Sequence, residues 1–292
     1  MIGFTALKRI FLAATTLCFA SHAAAAALTL DVYNPDEQAI FPVSSVLVSG
    51  AKEAILVDAQ FGKSQAEQVV QKIRASGKQL TTIYISHGDP DYYFGLDTLT
   101  TAFPNAKVLA SQPTVDHIKQ TVEGKLAFWG PKMGADVPAK TIVPGVLKGD
   151  SLMLEGQKLQ VIGLDGKQPD RSFVWIPSIK AVVGGVVVAE NIHVWMADTQ
   201  TAQSHADWLS TLRSIETLKP KTIVPGHYLG DSAGSLAAVQ FTAEYIKAFD
   251  EETAKAENAA ELIAAMKKRY PNFGEESSLE LSAKVAKGEM KW

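Results

Sequence analysis

The chain has 292 residues, 47% hydrophobic and 20% charged, with 31 acidic side chains against 28 basic ones. A net charge of −3 without a basic stripe argues against a nucleic-acid-binding surface. A single cysteine rules out a disulfide framework and a thiolate metal cluster.

Residues 1–26 have the three parts of a cleavable secretory leader: basic Lys8 and Arg9, an apolar run from Ile10 to Ala20, and small residues from Ala23 to Ala27. The expected mature chain therefore begins near Ala27, periplasmic or secreted, with Cys18 removed. Leu17 before Cys18 argues against a lipoprotein. No later stretch is long and apolar enough to span a membrane.

Residues 54–58 read as a buried strand, 64–76 as a helix and 82–86 as a second strand, a βαβ-type unit. Ser64 and Glu67 are spaced as a capping box, Ala66, Val69, Val70 and Ile73 repeat at helical spacing, and Gly77 ends the helix. Helices follow at 97–103 and 112–122, with a short strand at 107–110 between them. Strand character then takes over at 158–162, 172–176 and 181–188, the last apolar enough to be buried on both faces. A helix at 203–218 leads into a strand at 222–224. Residues 237–266 are helical, with a break expected at Asp250-Glu251-Glu252. Residues 250–292 read as a helical C-terminal extension, interrupted at Pro271 and carrying one more helix around 279–285. The expected organisation is a leader (1–26), an α/β domain (27–249) and that extension. Strands in both halves with helices between them fit two sheets packed face to face with helices outside, an αββα sandwich.

Three strands deliver Asp or His at their C-terminal ends: Asp58, then Ser86-His87-Gly88-Asp89-Pro90-Asp91-Tyr92, then Pro225-Gly226-His227. Taken alone, the central segment is equally an Asx-rich turn whose carboxylates cap backbone N–H groups. Three such ends together look like one site built from several loops. On these residues the chain resembles the metallo-β-lactamase superfamily of metal-dependent hydrolases, over roughly residues 40–230. The resemblance implies the four-layer αββα sandwich and metal ligands at His87, Asp91 and His227, with Asp58 supporting the loop. Where the family's loop has His-x-His-x-Asp-His, this chain has Asp89 in place of the second histidine and Tyr92 in place of the last. The isolated middle histidine is matched by Asp165, and Val186 stands where a metal-bridging aspartate is expected.

Against that pattern the expected metal set is His87, Asp89, Asp91, Asp165 and His227. It would hold one divalent ion, zinc or a harder ion such as manganese or iron, because carboxylates replace imidazoles. An aspartate oxygen reaches as far as the nearer imidazole nitrogen, so Asp89 fits its place better than Asp165, which falls short of the far nitrogen by roughly 2 Å, about one metal–ligand bond. Asp91 is a candidate to orient an attacking water, and Tyr92 to donate to an oxyanion. His193 lies on a loop within reach of the pocket. His205 reads as a helix cap or surface residue, and His117 falls inside a helix with no assigned role. Trp129, Trp195 and a loop at 128–137 are candidates to shape a substrate cleft. Two functions follow: a hydrolase of an ester, lactone, thioester or amide acting through metal-bound water, or a non-catalytic binder of a small molecule or metal on the same fold.

Overall fold

The computed structural model describes residues 26–292 together with Ile2, so the expected leader falls almost wholly outside the described residues. In chain order the elements are β1 (Thr29–Tyr33), β2 (Ser45–Ser49), β3 (Glu53–Val57), α1 (Lys63–Ser76), β4 (Gln79–Ile85), α2 (Pro90–Tyr93), α3 (Leu96–Ala102), β5 (Lys107–Ala110), α4 (Gln112–Met133) and β6 (Gly145–Val146). Then come β7 (Ser151–Leu154), β8 (Gln157–Ile162), β9 (Phe173–Ile176), β10 (Ala181–Val183), β11 (Ala189–Glu190), α5 (Ala202–Leu218), β12 (Thr222–Ile223) and β13 (His227–Tyr228). Helices α6 (Leu236–Lys255), α7 (Ala259–Arg269) and α8 (Glu276–Ala286) complete the chain.

One sheet runs β1-β2-β3-β4-β5-β6 and a second runs β12-β10-β9-β8-β7, with β11 paired to β13 between their ends. The period-two alternation of each strand sorts its side chains into layers. In β3, Ala54 and Leu56 face a core shared with Val69 and Ile73 of α1 and Val115 and Ile118 of α4. Ile55 and Val57 face the other way, against Leu159, Val174 and Val183 of the second sheet. In β9, Phe173 and Trp175 turn outward to Trp208 and Leu212 of α5 and Ile246 of α6. Helices, sheet, sheet and helices therefore stack as four layers with three apolar seams, an αββα sandwich. Leu262 and Met266 of α7, with Leu279 and Ala283 of α8, lie in the same outer seam as α5. Among the described residues no helix is long and apolar enough to cross a membrane.

Several elements differ from the sequence expectation. Helix α1 is not capped by Ser64 and Glu67. Its N-cap is Gly62, and Asp136 accepts from the Ser64 N–H at 3.2 Å and from its hydroxyl at 2.8 Å. A carboxylate distant in sequence thus takes the local cap's place. Helix α4 does not stop at Val122 but runs to Met133, because Trp129 and Met133 are buried against the first seam. Most of the expected loop at 128–137 is therefore helix. The expected strand 181–188 ends at Val183, where Gly184 and Gly185 turn the chain with φ of +69° and +81°. The acidic run at Asp250 does not break its helix. Glu251 and Glu252 pair with Lys255 and Arg269, and the break falls at Asn258, which caps α7.

Candidate functional site

The parallel register of β3 and β4 pairs Val57 with Tyr84. Asp58 comes next, turning with φ +68°. Its buried carboxylate accepts from the Ser86 N–H at 2.8 Å and the Ser86 hydroxyl at 2.6 Å. The Ser86 hydroxyl in turn accepts from the Gly185 N–H at 2.7 Å. Burial lifts Asp58 to about 7 while the two bonds from Ser86 pull the other way. One carboxylate thus ties together three strand ends, the supporting role expected of Asp58.

After β4 the chain delivers two polar clusters on either side of Tyr92. In the first, His87 Nε2 lies 3.1 Å from Asp89 Oδ2, and His87 Nδ1 lies 3.1 Å from the Asp170 carbonyl. Asp89 Oδ1 faces Lys125 Nζ at 3.1 Å and His117 Nε2 at 3.8 Å. Burial pushes Asp89 up, but the Lys125 charge, the nearby His117 and the bond from His87 outweigh it and hold the carboxyl well below the usual range. Burial likewise disfavours the charged form of His87, and Asp89 reverses this, raising it overall. Both nitrogens of His87 face acceptors, an arrangement an imidazolium satisfies in full.

In the second cluster His227 Nε2 lies 2.7 Å from Asp91 Oδ2, and its Nδ1 lies 3.2 Å from the Tyr92 hydroxyl. Tyr92 is fully buried, and desolvation, reinforced by Asp91 and Asp58, keeps its phenol protonated. The hydroxyl therefore donates to Nδ1, which leaves the imidazole proton on Nε2, donated to Asp91.

This arrangement does not fit the expected ion. A catalytic zinc takes about three protein donors. The first cluster holds His87, Asp89 and His117 and the second His227 and Asp91, yet among the described residues no group of three His, Cys, Asp or Glu is placed to hold an ion. Asp165 is exposed on its loop. Val186 has no donor, and burial keeps the Tyr92 phenol protonated. Two fixed cations stand in this region instead: Lys125 on Asp89, and Arg171, whose guanidinium lies 4.3 Å over the Trp208 ring.

His193 is 1% exposed and lines an apolar pocket with Asp91, Tyr92, His227, Trp129 and Trp195. Its Nδ1 accepts from the Tyr245 hydroxyl at 3.1 Å. Burial lowers the imidazole to about 4. The unfolded chain takes up this proton at pH ~6.5, so the stability His193 contributes is full above ~6.5 and lost as pH falls toward the folded value. Between pH ~7 and ~4 the wild type should lose roughly 1–3 kcal/mol more than His193→Asn, whose amide oxygen can still accept from Tyr245. Urea denaturation across that range measures it, and parallel curves for the two proteins would contradict it.

Lys125, His117, Arg171 and Asp198 carry no signal in the motif segments. His117, Thr121 and Lys125 recur at i, i+4 and i+8 on α4, and that face lines a cleft beside His87 and Asp89. His205 is also placed differently from the expectation. It is 6% exposed, with Nδ1 2.6 Å from Asp250 and Nε2 2.6 Å from the Thr199 carbonyl.

The profile of the metallo-beta-lactamase superfamily matches residues 39–227. A metallo-beta-lactamase family protein from Thermus thermophilus superposes with a TM-score of 0.62 at 17% identity, covering 90% of this chain and 93% of that one. A metallo-beta-lactamase from Pontibacter korlensis gives 0.57 at 18% identity, over 76% and 95%. The uncharacterized protein YobT of Bacillus subtilis (strain 168) is 38% identical over 74 residues, which span 25% of this chain and 31% of that protein.

Proposed function

The chain belongs to the metallo-beta-lactamase superfamily, whose members are generally metal-dependent hydrolases, and from that premise we propose that this member is an exported small-molecule-binding protein. In this reading fixed protein cations stand where its relatives hold a divalent ion. The observation that carries it is the Lys125 ammonium 3.1 Å from Asp89, at a site where both altered histidine positions and the bridging carboxylate lack a third donor. Lys125 and Arg171 together supply two positive charges, the charge of one divalent ion. The fold then retains an apolar pocket of about 50 Å³ walled by Phe41, Trp129, Val186, Trp195 and Trp292, which would take an apolar ligand body only as these side chains move apart.

A second reading is favoured by the contact chain Asp91–His227–Tyr92, which opens on the same pocket. There a water attacks the carbonyl of an ester, lactone, thioester or amide; the Tyr92 hydroxyl turns from His227 to the developing oxyanion, the freed Nδ1 takes the water's proton and returns it to the leaving group, and Asp91 orients the imidazole. A panel of such substrates, assayed with chelator-treated protein, separates the readings. Binding without turnover is the expected result. Turnover that survives chelation and falls about 100-fold or more in Asp91→Asn would favour the second reading. Turnover that appears only on adding zinc or manganese would overturn both.

A further inference from the structure

Arg171 precedes β9 on the loop from β8 and is 5% exposed. Its Nε and Nη2 are buried and have no hydrogen-bond partner among the described residues. These two N–H groups lie along one edge of the guanidinium, the parallel fork that matches the two oxygens of a carboxylate. Asp198 is near enough to offset the charge, but its oxygens are engaged by indole N–H groups, from Trp195 at 2.6 Å and Trp292 at 2.6 Å. Asp170 offers its backbone carbonyl to His87. Two parallel donors held without acceptors, on a side chain fixed over Trp208, are out of keeping with an interior in which buried polar groups are paired.

Arg171 lines a cleft of about 660 Å³ in which the cations Lys125 and Lys167 face the carboxylates Asp89, Asp170 and Asp198, with Trp292 at its edge. His117 Nε2 is a further buried nitrogen without a hydrogen-bond partner. The cleft shares Asp89, Lys125 and Trp292 with the apolar pocket beside His227. A charged grip therefore adjoins an aromatic chamber, with Trp292 at the boundary, 5.3 Å from both Phe128 and Trp195.

We propose that Arg171, assisted by Lys125, is the carboxylate-binding subsite of this protein, and that its ligand is a small organic acid whose apolar or aromatic body lies toward Trp129 and Trp195. The proposal rests on the small-molecule reading of the pocket and adds the chemical class of the ligand. Lys167, which is exposed, and Gln168, which is half-buried, line the cleft beside Arg171. A planar carboxylate satisfies the fork in two parallel bonds.

The test is calorimetric titration of the full mature chain with 3-phenylpropanoate, its primary amide and phenylphosphonate. The acid should bind at least about tenfold more tightly than the amide, and Arg171→Lys should reduce that preference severalfold. Equal affinity for acid and amide would overturn the carboxylate subsite and leave the small-molecule reading standing. A preference for the phosphonate would overturn the carboxylate assignment. Failure of all three probes to bind would overturn both. Should Arg171→Lys fail to fold, the comparison of acid with amide on the wild type decides alone.

Discussion

Replacing Lys125 with methionine should destabilise the fold by about 3–5 kcal/mol, the cost of stripping one partner from a buried ion pair. Lys125 and Asp89 have side chains only 14% and 13% exposed, so water does little to screen the charge left behind. Asp198, an exposed carboxylate whose pKa desolvation and Asp89 raise, makes an uncompensated second carboxylate worse. His87 softens the loss through its contact with Asp89, and the Lys125 ammonium 4.5 Å over the Trp292 ring adds to it. The Asp89→Asn/Lys125→Met double variant removes both charges and should recover most of the loss. A double-mutant cycle by urea denaturation would then report a coupling of several kcal/mol, on the order of the single-variant cost. A single-variant cost under ~1 kcal/mol would mark the pair as an ordinary solvated contact and remove the lysine from its place in the account.

Gly226→Ala should be nearly as damaging, by about 3 kcal/mol, because it overpacks a junction that has no compliant atom. A Cβ at Gly226 would sit 2.2 Å from the Gly185 carbonyl oxygen and 2.8 Å from the Tyr92 hydroxyl. Gly185 is fixed by its bond to Ser86 and by its left-handed turn, and Tyr92 is fully buried. The backbone before His227 must therefore shift, and the contacts from His227 to Asp91 and Tyr92 shift with it. Gly124→Ala is the matched control. Nothing lies within 4 Å of a Cβ there, on an exposed turn of α4, so the same change should stabilise by up to ~1 kcal/mol. Similar effects at the two glycines would contradict the close approach on which the His227 strand depends.

The first βαβ unit is legible in the sequence because each boundary has a local cause: alternating apolar residues in β3 and β4, helical spacing in α1, and Gly77 in a left-handed C-cap at φ +66°. What escapes the sequence depends on partners distant along the chain. Asp136 replaces the local cap of α1, and the burial of Trp129 carries α4 past Gly124, Gly130 and Pro131. At the site, His87, Asp89, Asp91 and His227 are readable because strand ends bring them to one end of the sandwich. They meet as two pairs flanking Tyr92. Asp165 is suggested by residue type in a Gly-Leu-Asp-Gly setting, yet the side chain that turns inward from that loop is Arg171, six residues on. Lys125 reads as part of a solvated helix face, and only the packing of α4 against the loop at Asp89 shows it to be a counter-charge.

The central claim is that protein cations replace the superfamily's metal, and native mass spectrometry of residues 27–292, loaded with excess zinc or manganese and then desalted, tests it most directly. The account predicts the mass of the polypeptide alone, unchanged in His87→Ala. An ion retained in near one-to-one amount by the wild type, and lost from His87→Ala, would contradict it.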